Sequence, residues 1–78
     1  MKIKILYFAH ISDITGKNSE IIDVDSNNME IIKGVIFNKY PEIKNERNLL
    51  IAVNDDYYST QKINENDVIA FFPPVSGG

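Results

Sequence analysis

The sequence has no cysteine and no tryptophan, one histidine, three prolines and four glycines among its 78 residues. With no cysteine there is no disulfide frame, no thiolate metal site, no iron–sulfur cluster and no cysteine nucleophile. Packing alone must hold the fold, which suits a reducing compartment. The lone histidine, His10, has no partners at metal-ligand or acid–base spacing and reads as a surface residue. Asp55-Asp56 and the scattered Glu residues lack the spacing of a calcium loop, and Gly16 alone makes no phosphate loop. No bound metal or cofactor is expected.

A basic excess is missing too: eight Lys and Arg face eleven Asp and Glu, a formal net charge of −3, with no basic run interleaved with aromatics. That excludes the electrostatic footprint of a nucleic-acid binder. The longest apolar runs, Leu49 to Val53 and Val68 to Phe72, are far below bilayer-spanning length. The apolar N-terminal segment is broken by His10, Ser12 and Asp13 before it reaches the length of a signal-peptide core. The expectation is a cytoplasmic protein that binds neither nucleic acid nor membrane. At this length a single domain buries only about 60% of its unfolded surface, too little for a deep catalytic cleft.

What is present is pattern. Lys2 to Phe8 alternates, with Ile3, Ile5 and Tyr7 on one side and Lys4, Leu6 and Phe8 on the other, which predicts a strand. Turn formers between Ser12 and Asn18, centred on Thr15-Gly16-Lys17-Asn18, should reverse the chain into a second strand over Glu20 to Val24. Asn27 with Glu30 three residues later resembles a capping box. Met29, Ile32, Ile36 and Tyr40 then recur at helical spacing, with Ile31 and Val35 widening the stripe, so a helix over 28–40 is predicted, stopped by Pro41. Gly34 weakens that helix unless a strand packs closely against it.

Leu49 to Asn54 suits a short buried strand, Asn54-Asp55-Asp56 a turn into Tyr57 and Tyr58, and Asp67 to Phe72 a last strand. Tyr57 and Tyr58 straddle a strand, so one faces the core and the other solvent. The order ββαβββ, with one helix covering a mixed sheet, gives an α+β fold of the ubiquitin-like β-grasp type over residues 1–72. Residues 73–78 form a separate tail.

That tail carries the most information. Pro73 and Pro74 donate no hydrogen bonds, so the sheet must end at Phe72 and the chain leave in extended form. Pro73 to Gly78 then reaches roughly 20 Å, far enough to enter another protein's active site. Gly77 and Gly78 have no Cβ, so the terminal carboxylate passes through a channel too narrow for any side chain. With one sheet face uncovered, Leu6 and Phe8 should point to the open side. If Phe72 lies beside Phe8, an apolar patch for a partner sits at the base of the tail.

The segments LYFA, Thr15-Gly16, IAVN at 51–54 and NDVIAFFPPVSGG resemble the small subunits of molybdopterin synthases over nearly the whole chain. A terminal diglycine alone would equally suit a thiamine-pathway or tRNA-thiolation sulfur carrier, or a ubiquitin-like binding module. FFPPVSGG is the more specific part. The resemblance implies a sulfur carrier for molybdenum cofactor biosynthesis. Its terminal Gly78 is adenylated with ATP by an activating enzyme and converted to a thiocarboxylate. With Gly77 as its unhindered neighbour, Gly78 then enters the large subunit and gives sulfur to cyclic pyranopterin monophosphate. It further implies a heterotetramer of two small and two large subunits, with Phe8, Phe72, Pro73, Pro74, Val75 and Ser76 against the large subunit. The carrier itself supplies no catalytic side chain. Ser12 stands where many members carry arginine, so one ionic contact to the partner is not matched here.

Overall fold

In the computed structural model, residues 1–74 are described. Alternation over the first residues yields β1 (Lys2–Tyr7), whose Ile3, Ile5 and Tyr7 are buried while Lys2 and Lys4 face solvent. The chain continues through α1 (His10–Thr15), β2 (Ser19–Asp23), α2 (Met29–Lys39), a 3-10 turn (Pro41–Asn45), β3 (Leu50–Val53), β4 (Asp56–Tyr57) and β5 (Val68–Phe72). The strands form a five-stranded sheet in the order β2-β1-β5-β3-β4. β1 and β5 run parallel, and the other neighbours are antiparallel. This mixed sheet with one main helix is the ubiquitin-like β-grasp arrangement anticipated from the element order.

The core lies between the sheet and α2. Ile5 and Ile69 are paired across β1 and β5, as are Tyr7 and Phe71, and all four are buried with Met29, Ile32 and Ile36 of the helix. Aliphatic residues dominate, and Phe71 is the largest fully buried side chain. Tyr7 stacks on Phe71 at 6.3 Å and meets Tyr40 edge-on at 5.8 Å, both favourable aromatic geometries.

Several local expectations are corrected. The segment read as a plain turn over Ser12 to Asn18 overlaps α1, whose Ile11 is fully buried. A helix of 6 residues is too short to show a period. The turn formers act at its end, where Gly16, at φ 77°, donates its N–H to the Ser12 carbonyl as a left-handed cap. The N-cap of α2 is Asn28 rather than Asn27: Asn28 Oδ1 accepts from the Glu30 N–H at 2.8 Å, which places Glu30 too early for a reciprocal capping box. Ile31 and Val35 do not widen the buried stripe. They remain 53% and 39% exposed, because α2 has neighbours on its sheet side only.

Pro41 ends α2 as expected but also opens the 3-10 turn, which buries Ile43. Gly34 has no atom within 4 Å of where a Cβ would stand, so no strand packs against it and the glycine only weakens the helix. β3 is half-buried rather than enclosed, since one face of the sheet has no cover. Among the described residues no helix is long and apolar enough to cross a membrane.

Candidate partner-docking site

Parity along the paired strands builds the site. With Tyr7 opposite Phe71 and both in the core, Phe8 and Phe72 must emerge on the opposite face, one residue beyond at the ends of two parallel strands. The Phe8 N–H donates to the Phe71 carbonyl at 3.1 Å, which carries the pairing past the end of β1. Phe8 is 48% exposed and Phe72 half-buried, so the sequence-predicted apolar pair is present at the base of the tail. Leu6, expected in water beside Phe8, is half-buried.

Ala52 and Ala70 pair directly between β3 and β5 on the same face, and their small side chains leave a depression. The result is an open groove of about 610 Å³ lined by Phe8, Ala9, Ala52, Asp55, Ala70, Phe72, Pro73 and Pro74. Pro73 is half-buried at its rim and Pro74 exposed. Val75, Ser76, Gly77 and Gly78 lie outside the described residues.

The bend that turns the chain off β1 is tightly held. Ala9 adopts φ 52° and ψ −138°, a region that disfavours any Cβ. It is kept there by the Ile11 N–H donating to the Phe8 carbonyl and by the Ser12 N–H and hydroxyl both donating to the Ala9 carbonyl, the hydroxyl at 2.7 Å. Ser12 is thus committed within its own turn. His10 is a surface residue, as expected, and its Nε2 meets Glu46 Oε2 at 2.6 Å.

Tyr57 is a member of the site that sequence reasoning did not single out. Of the two tyrosines, Tyr58 packs against the core, while Tyr57 is 69% exposed with its ring 6.0 Å from that of Phe72. Its pairing with Ala52 puts it on the groove face. The missing signal was the register of β4, which depends on the Asn54-Asp55 turn, where both residues take positive φ.

The opposite face holds a concentrated polar cluster. Glu20 projects to the helix side and accepts from the hydroxyls of Tyr7 at 2.6 Å and Tyr40 at 2.7 Å, while Lys39 Nζ donates to it at 2.5 Å. Burial would raise the Glu20 pKa, but the hydrogen bonds from Lys39, Tyr7 and Tyr40 outweigh it and hold the carboxyl at about 2. Burial, aided by the bond to Glu20, pushes the Tyr7 phenol well above its ordinary range. This cluster braces α2 against β1 and β2. Among the described residues no group of three His, Cys, Asp or Glu converges to hold a metal ion.

Comparison with known proteins agrees with this geometry. A model of the ThiS family matches residues 5–78. The molybdopterin synthase sulfur carrier subunit of Dictyostelium discoideum is 40% identical over 99% of this chain and 96% of its own. Among solved structures, a putative molybdopterin converting factor subunit 1 from Pyrococcus furiosus superposes with a TM-score of 0.86 at 27% identity, covering 96% of this chain and 99% of that one. A chain from the protein–protein complex of subunits 1 and 2 of the Helicobacter pylori molybdopterin-converting factor shares the fold, with a TM-score of 0.73 at 21% identity and full coverage of both chains. The chain therefore belongs to the ThiS family, within which it is similar to the sulfur carrier subunits of molybdopterin synthases.

Proposed function

We propose that this protein is the sulfur carrier subunit of a molybdopterin synthase, working in the cytoplasm. The observation that carries the reading is the apolar groove at the foot of the Pro73-Pro74 segment, where Phe8 and Phe72 converge on the uncovered sheet face. Its similarity to named carrier subunits supports the same role.

The chemistry asks little of the carrier's side chains. A carboxylate is inert to sulfur nucleophiles. An activating enzyme therefore joins the Gly78 carboxylate to the α-phosphorus of ATP, releasing pyrophosphate. Sulfide-level sulfur from a donor then attacks the acyl carbon, AMP leaves, and the product is a thiocarboxylate, which is anionic and nucleophilic at neutral pH. The tail delivers this sulfur to cyclic pyranopterin monophosphate inside the large subunit. Hydrolysis of the acyl–sulfur bond then returns the carboxylate. Gly77 keeps the last peptide slender, and the groove fixes where the tail begins. Two carriers and two large subunits form the working assembly.

The test is intact mass after incubation with activating enzyme, ATP and a sulfur source. One oxygen exchanged for sulfur at the C-terminus is expected. An unchanged mass in the presence of demonstrably active enzyme would instead identify a binding-only domain. A carrier dedicated to thiamine or tRNA thiolation would acquire sulfur but fail to convert cyclic pyranopterin monophosphate with the large subunit.

A further inference from the structure

We propose that Asp55 is a specificity-determining residue of the docking groove and that the large subunit meets it with an arginine. The inference rests on the reading of this groove as the surface that receives that subunit. Among the described residues lining it, Asp55 alone is ionisable, and the others are phenylalanine, alanine and proline. Asp55 is exposed, and no ion pair among the described residues involves it.

The turn that carries Asp55 is tied down through its neighbour Asn54. The Asn54 N–H donates to the Val68 carbonyl at 2.8 Å, the Val68 N–H to Asn54 Oδ1 at 3.0 Å, and Asn54 Nδ2 to Asp67 Oδ1 at 3.0 Å. These bonds tie the β3–β4 turn to the start of β5. Asp55 follows with φ 75°, which Asp and Asn tolerate better than other residues with a side chain.

A partner that fills the groove strips water from this carboxylate. Burying it unpaired costs more than the neighbouring apolar contacts return, so the covering surface must supply a positive charge with hydrogen-bond donors. A guanidinium fits better than an ammonium. Its planar fork grips both carboxylate oxygens while its face stacks on the adjoining aromatic surface, here Phe72 with Tyr57 beside it. Such a pair fixes which large subunit is accepted and in which orientation, and removing one partner weakens binding because the other charge is left buried and unpaired.

The experiment titrates the full chain against its cognate large subunit at low and high salt, comparing wild type with Asp55→Asn and Phe72→Ala. Asn keeps the turn conformation, so the melting temperature of Asp55→Asn should be unchanged. Its affinity at low salt should fall by about tenfold or more, with most of the salt dependence gone. Phenylglyoxal treatment of the large subunit, which blocks arginine, should make wild type and Asp55→Asn bind alike. Equal affinity and equal salt dependence of Asp55→Asn and wild type would overturn the inference while Phe72→Ala still binds weakly. Loss of the difference on lysine acetylation, and not on arginine blocking, would overturn the arginine. No binding by wild type at all would overturn the docking reading beneath it.

Discussion

Phe71 and Phe72 are chemically identical neighbours with opposite tasks, separated only by the two-residue period of a strand. Phe71 is fully buried against Tyr7, whereas Phe72 lines the groove. Phe71→Ala should therefore cost about 3–5 kcal/mol in urea unfolding, a large part of the stability of so small a domain. Phe72→Ala should cost far less stability yet weaken capture by the large subunit, as a pull-down with folded variants would show. Glu20 is the other residue whose surroundings decide its behaviour. Its folded pKa, near 2, lies below the reference value of 4.5. Its contribution is therefore present above about pH 4.5 and lost as pH falls through the folded value. Glu20→Gln should lower stability at pH 7 by about 1–3 kcal/mol and flatten the loss between pH 4.5 and 2, as unfolding midpoints measured across that range would show.

At the scale of elements, α2 is held more by what it buries than by its own propensity. Met29, Ile32 and Ile36 point to the sheet, Asn28 caps the start, and Pro41 fixes the end. Gly34 stands on the outer side with open space where a Cβ would go. Gly34→Ala should raise stability by up to about 1 kcal/mol with no effect on partner capture, measured by the melting temperature and the same pull-down. The helix stripe and the first and last strands were legible in the residues because their periods are long or strongly alternating. α1 was not, since Ile11, Ile14 and Thr15 span too few turns to distinguish a helix from a loop, and only contact with the core reveals that Ile11 and Thr15 are inside.

For the whole molecule, the sheet order brings the ends of β1 and β5 together, so a segment from each end of the sequence shares one surface. Deleting Gly78 should leave the melting temperature unchanged while abolishing thiocarboxylate formation in the intact-mass assay, because the buried core of the described residues is assembled between Ile3 and Phe71. The composition and the period-two and helical patterns were sufficient to indicate a small β-grasp domain and to bring Phe8 and Phe72 together on the open sheet face. Those are local properties, written in neighbouring residues. Which tyrosine borders the groove, that Ala52 and Ala70 meet to hollow it, that Asp55 stands at its edge and that Glu20 gathers two tyrosines and a lysine were decided only when distant strands came into register. Register is set by the summed burial of the whole sheet, and no short stretch of chain contains that sum.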